Sequence, residues 1–259
     1  MKLLKTVVYY ELSNVLRSKW PYILTILVGI MTFTLLFLSD DVKKTLLSLT
    51  IIFCALIPLV ALLFTSLYWY NSERFTELLL TQPISRKVIF LSRAVILGIS
   101  LILSLSLGVI VPFLWFQIFN ADILFFLSLM GLLALVFVNV GLLISVSMSD
   151  KMKALGLVLG IWIYLLMVHD GIILIGLLFF KGYPTDIPAL VAGTLNPIGL
   201  ARILLIRYFD QPLLLSFTGA RVQLFLTSST GLLMAIIAGF SWTFAPLWLG
   251  LRAFIKRDY

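Results

Sequence analysis

Charge is scarce in this chain. Asp, Glu, Lys and Arg make up 12% of its 259 residues, where soluble domains carry about a quarter. The apolar share is 62% and the mean hydropathy is +1.15. A soluble fold of this length has no interior large enough to hide that much apolar surface, so the composition points to an integral membrane protein. There is one cysteine, Cys54, inside an apolar run. An internal disulfide is therefore excluded, and Cys54 reads as a small buried hydrophobe that leaves the redox compartment open. Catalytic signatures are also missing. The chain has no GxxxxGK(S/T) phosphate loop, HExxH, CxxC or defensible Ser–His–Asp spacing. It is not expected to be its own ATPase, and no enzyme is expected, although sites assembled from distant spans escape motif reading. No repeat or low-complexity segment is evident. Met1-Lys2 leads into an amphipathic stretch rather than an apolar core with a small-residue cleavage site, so no cleavable signal is expected.

What the chain has is long apolar runs. A span needs about 20 largely apolar residues, and six are read: Trp20–Leu38, Leu46–Tyr70, Val88–Phe119, Ile123–Met148, Ala154–Phe180 and Leu224–Leu251. Pro58, Pro112 and Pro246 fall inside spans and should kink them. Six spans put both ends of the chain on one side. Segments on that side carry 13 basic and five acidic residues, and the remaining segments carry six of each. The net charge of +8 thus lies wholly on one face. The positive-inside rule makes that face cytoplasmic and explains the basic pI without nucleic acid.

Before the first span, Leu4, Val8, Leu12 and Val15 recur at helical spacing, with Lys5, Arg17 and Lys19 among them. This predicts an interfacial helix over 1–19, or else a cytoplasmic extension of the first span. Between the last two spans lies a segment, 181–223, with Pro184, Pro188, Pro197 and Pro212. It is too apolar for disorder and should form short helices on the outer surface, a candidate docking surface.

Buried polar residues are few. His169, the only histidine, and Asp170 stand in the fifth span, with Met167 nearby. A metal or proton site is one reading. Neighbours on a helix point about 100° apart, so a polar contact between helices, or a place near the outer interface, is the other, and no metal site is assigned. Asn139 in the fourth span has the same structural default. Gly156 and Gly160 in the fifth span, and Ser100, Ser104 and Gly108 in the third, are spaced for close helix packing.

The most informative segment is Asn71 to Arg93, a charged stretch between two spans. A helix from about Ser72 would put Phe75, Leu78 and Leu79 on one face and Glu73 and Glu77 on another. Pro83 would stop it, and Ser85 would cap the next helix. The run Glu-Arg-Phe-Thr-Glu-Leu-Leu-Leu-Thr-Gln-Pro-Ile-Ser-Arg resembles the coupling segment of ABC-2 type permeases, the six-helix membrane subunits of one class of ABC transporter. Gly156, Gly160, Trp162 and Asp170, together with Leu195-Asn196-Pro197 and Arg202-Ile203-Leu204, resemble the permease of the nitrous-oxide-reductase maturation (Nos) transporter.

That resemblance implies an all-α integral membrane protein with six transmembrane helices, an N-terminal interfacial helix and a cytoplasmic coupling helix between spans 2 and 3. It implies one permease domain over 1–259, with coupling residues Glu73, Arg74, Phe75, Glu77 and Leu78 in segment 71–86. Asn196, Pro197, Arg202 and Arg207 become candidates for outer docking. The implied partners are two copies of a cytoplasmic ABC ATPase, which would hold the ATP and Mg, a second copy of this chain, and a periplasmic β-helix accessory protein. No cofactor is expected in this chain. The implied place is the inner membrane, and the implied task is maturation of the copper centre of nitrous oxide reductase. The alternatives are a generic ABC-2 exporter of a drug, lipid or ion, and a membrane scaffold or enzyme with no ATPase.

Overall fold

A computed structural model describes residues 2–39, 41–180, 192–209 and 229–257. The described residues are helical and contain no strand. The helices are α1 (Lys2–Arg17), α2 (Trp20–Leu38), α3 (Val42–Asn71), α4 (Glu73–Leu80), α5 (Arg86–Trp115) and α6 (Ala121–Ser147). There follow α7 (Lys151–Ile163), a π-helical segment Tyr164–Val168, α8 (His169–Phe179), α9 (Pro197–Tyr208) and α10 (Ser229–Lys256). Six helical runs among the described residues are long and apolar enough to cross a membrane: α2, α3, α5, α6, the run Lys151–Gly176, and Leu233–Lys256. The six-span, all-α fold expected from the sequence is therefore present. Segments 181–191 and 210–223 of the expected outer region, and 224–228 of the expected sixth span, lie outside the described residues.

Short polar residues start these helices. Asp41, Asn120 and Asp150 each accept a backbone N–H from the first turn of α3, α6 and α7, at 2.9, 3.3 and 2.7 Å. Ser85 occupies the equivalent position before α5, but its side chain makes no capping bond, contrary to expectation; only its carbonyl enters the helix ladder. α5 ends where Gln117 takes φ 57° and Ile118 donates to the Phe113 carbonyl at 2.9 Å, a left-handed terminus that usually selects glycine.

Three spans form the core. More than half of the apolar windows of α3, α5 and α6 is buried, but only 17% of those of the fifth and sixth spans. Phe53, Phe113, Phe126 and Phe137 are fully buried among these helices. α2 lies along α5, α10 along α6 and α5, and α7 along α3; α9 covers α3 and α6. Gly108 permits the α2–α5 approach: a Cβ there would lie 2.6 Å from Val28 and 2.9 Å from the Thr25 carbonyl. Among the described residues, nothing lies within 4 Å of a Cβ at Gly156 or Gly160, so neither serves this purpose there.

Proline kinks are used as joints. Pro58 and Pro246 each disrupt the backbone ladder one turn back. In those turns the Ala55 carbonyl accepts Trp162 Nε1 of α7 at 2.9 Å, and the Thr243 carbonyl accepts Asn139 Nδ2 of α6 at 3.0 Å. Neighbouring spans thus donate to carbonyls adjacent to those of Cys54 and Trp242, which the prolines deprive of their N–H partners.

α1 departs from the expected pattern. It is a separate helix, divided from α2 at Ser18 and Lys19. Val15 is fully buried, but Val8 and Leu12 are exposed, and the residue buried beside Val15 is Glu11. Glu11 accepts Arg93 Nε and Nη2 at 3.1 and 2.9 Å and the Tyr68 hydroxyl at 2.6 Å. The Arg93 guanidinium also lies 5.0 Å from the Trp69 ring centroid. Arg93 reads as a loop charge in the sequence, yet its side chain is 1% exposed.

Two outcomes follow. Glu11→Ala leaves a buried guanidinium uncompensated and should cost about 3–5 kcal/mol, read as a lowered thermal midpoint in detergent. Gly108→Ala should cost about 1–3 kcal/mol through overpacking, while Gly156→Ala, with open space around it, should leave the midpoint unchanged or raise it.

Candidate functional site

α4 is a two-turn helix at the same end of the bundle as α1 and the last residues of α10. Its amphipathic sequence docks one side and frees the other. Thr76 and Leu79 are buried, and Phe75 and Leu80 pack half-buried against the core. Arg74 and Glu77 are exposed, and Leu78 is 65% exposed. The sequence grouped Leu78 with Phe75 and Leu79. The helical register instead turns it outward beside Glu77, because Thr76, Leu79 and Leu80 fill the inner side. The outward face is therefore Arg74, Glu77 and Leu78, while Phe75 faces inward.

Glu73 is 40% exposed and stands beside the end of the last helix. Its Oε1 lies 3.9 Å from Arg257 Nη2 at the end of the chain's last helix. Arg257 Nη1 also donates to the Val146 carbonyl of α6 at 2.9 Å. At the other end of the segment, Arg86 Nη1 donates to the carbonyls of Ile255 and Arg257 at 2.9 and 2.7 Å. The last carbonyls of a helix have no partner within it and attract cations, so these arginines tie α4's flanks to the ends of α10 and α6. Trp69, Phe90 and Phe254 pack edge to face and tilted beside them, with centroids 5.6–6.4 Å apart. Sequence reasoning missed this set, because Arg86 and Arg257 are 171 residues apart and each reads alone as an ordinary flanking charge.

A second polar cluster forms near the opposite end. Asp170 pairs with Arg202 of α9. Asn196 accepts the Ile198 N–H at 3.0 Å, which starts α9, and donates Nδ2 to the Leu165 carbonyl at 2.7 Å. Leu165 lies in the π segment, where the ordinary ladder is interrupted and a carbonyl is open to an outside donor. His169 is buried, with Nδ1 3.7 Å from Asp170 Oδ1 and without a hydrogen-bond partner. Met167 is 68% exposed on another side of the helix, so Met167, His169 and Asp170 do not converge. No group of three His, Cys, Asp or Glu residues placed to hold a metal is found among the described residues.

This cluster revises the expected docking surface. Asn196 and Pro197 are buried, and Arg202 is engaged with Asp170, so all three hold α9 against the fifth span. Arg207 lies on the same helix. Asn139 joins α6 to α10 through Thr243, as described above. On the membrane-facing side, a groove of about 430 Å³ between α2 and α5 is lined by Ile26, Gly29, Phe33, Val111, Pro112 and Trp115, among others. Its lining contains no charged residue, which suits hydrocarbon and not an ion.

Two relatives bear on this arrangement. The chain is 26% identical over 222 residues to a "Probable ABC transporter permease protein NosY" of Stutzerimonas stutzeri, covering 77% of this chain and 80% of that protein. It is 26% identical over 232 residues to the protein of the same description from Pseudomonas aeruginosa, covering 81% and 84%. No family model matches the chain. The similarity to ABC permeases read in the sequence is thus found in whole-length relatives, and it supports a multi-pass permease subunit rather than an enzyme.

Removing the Asn196 side chain tests the outer cluster. Asn196→Ala strips the Leu165 carbonyl and the first N–H of α9 of their partner and should cost about 1–3 kcal/mol. Hydrogen exchange should rise over 165–170 and 197–201 and remain unchanged in α4.

Proposed function

We propose that this chain is the membrane subunit of an ATP-driven transporter, with α4 receiving the motion of a cytoplasmic ATPase. The observation that carries this reading is α4 itself. It is a short helix with an outward Arg74–Glu77–Leu78 face, bolted at both flanks to the bundle through Glu73 and Arg86 and rooted beside the buried Glu11–Arg93 pair. Such an element passes a push into the spans instead of absorbing it. The excess of basic residues at this end makes it cytoplasmic, with both termini inside and the chain in the inner membrane. Two ATPase copies would supply ATP and Mg.

The fifth span supports a homodimer. Its window is only 17% buried, and Gly156 and Gly160 leave open space where a helix of a second copy can approach closely. The similarity to the named relatives, with the Nos-like residues in the fifth span, extends the reading to a task outside the cytoplasm. That task is support of copper-centre maturation in nitrous oxide reductase, with a periplasmic β-helix protein resting on the outer segment. The apolar groove between α2 and α5 favours a second reading, an ABC-2 exporter of a lipid.

Co-purification with the ATPase encoded beside this chain tests the coupling claim. The wild type should retain the ATPase in detergent. A variant with Arg74→Glu, Glu77→Lys and Leu78→Asp should release it, with its thermal midpoint unchanged, because all three side chains face outward. Wild-type protein that purifies without any ATPase under these conditions sinks the coupling reading.

A further inference from the structure

α10 touches both clusters described above. At its cytoplasmic end, the carbonyls of Ile255 and Arg257 accept Arg86, and the Arg257 side chain reaches Glu73 and the α6 terminus. Both flanks of the coupling segment therefore bond to the same helix end. Toward the other end, Trp242 Nε1 donates to the Thr194 carbonyl at 3.2 Å. Thr194 lies two residues before Asn196, whose side chain starts α9 and holds the π-segment carbonyl. Trp242 and Ile255 are 13 positions apart, about 20 Å at a rise of about 1.5 Å per residue.

We propose that α10 is the rod that carries displacement of the coupling segment to the outer helix α9, with Arg86 and Arg257 as its inner fastening and Trp242 as its outer one. This rests on the coupling reading and specifies the route. α3 and α5 also adjoin the coupling segment, and α9 also lies on α3 and α6. However, α3 and α5 are pinned to each other and to α1 by the Glu11–Arg93–Tyr68 network, and more than half of each apolar window is buried. α10 has a window only 17% buried, so it can shift with less loss of packing than α3 or α5. At the inner end its own carbonyls accept Arg86, and at the outer end its Trp242 indole donates to the Thr194 carbonyl, so one partner in each of these bonds is backbone. Pro246, between the two fastenings, lets the rod flex while Asn139 holds the turn it disrupts.

The test uses the complex with its ATPase in a Cys54→Ala background. Spin labels are placed at Leu195→Cys and Leu124→Cys, both exposed, and their separation is measured with and without ATP and vanadate. In the parent complex, nucleotide should shift the distance distribution. Trp242→Phe, which keeps a ring but removes the N–H and lies far from the ATPase face, should retain the ATPase and its turnover while losing that shift. Arg257→Gln removes the inner fastening at the coupling joint itself, so it should lose the shift and lower turnover together. A shift that survives in Trp242→Phe overturns the proposal and assigns the route to α3 or α6. A parent complex that holds the ATPase yet shows no shift overturns the coupling reading itself.

Discussion

The Glu11–Arg93 pair is the constraint on which the α4 end of this protein is built. Both side chains are 1% exposed, and the cost of burying the two charges is offset by their pairing and by the groups around them, although Arg93 Nη1 has no hydrogen-bond partner among the described residues. Here Tyr68 takes the second carboxylate oxygen, Asn14 bonds the Tyr68 hydroxyl at 3.1 Å, and Trp69 faces the guanidinium. Removing any one member leaves a charge or dipole stranded, so the set fixes α1, α3 and α5 in one arrangement. An apolar contact of the same size would permit sliding. α4 hangs between α3 and α5, and its position is defined because theirs is.

The bundle treats freed backbone carbonyls as its joining material. Helix ends and proline turns leave carbonyls unmet, and in an apolar environment each must find a donor. Arg86 and Arg257 meet those at the ends of α10 and α6. Trp162 and Asn139 meet those beside Pro58 and Pro246, and Asn196 meets one in the π segment. The buried serines and threonines mostly bond back to carbonyls of their own helices, so joining distant helices falls to a few larger polar side chains: Glu11, Arg93, Asn139 and Asn196. This is why Asn139, Asn196 and Asp170 serve as connections and not as a ligand site. It is also why Asn196 and Pro197, expected on an outer docking surface, turn out to be buried.

Helix ends matter for function in the same way. An element that receives force must be stiffly joined to what it moves, and Arg86 at one flank of α4 bonds backbone carbonyls at 2.9 and 2.7 Å. The outward face of α4 is small, with two opposite charges flanking an exposed leucine. That pattern fits a socket on a soluble partner, where an apolar anchor is oriented by a polar rim.

The sequence by itself determined the solvent, the number of spans, the sidedness of charge and the place of the short amphipathic helix. Those follow from hydropathy and local periodicity, which act over a few residues. It also made the likeness to ABC permeases readable in Asn71 to Arg93 before any relative was compared. Only the tertiary structure decided which charges are buried and with whom. Arg93 and Glu11 are 82 residues apart, and nothing in the local pattern of either marks it as half of a buried pair. The same holds for Leu78, whose outward turn depends on what Thr76 and Leu79 fill, and for Gly156 and Gly160, whose open face depends on which spans pack beside them. Pairing across distant helices is set by geometry after folding, and a linear pattern does not encode it.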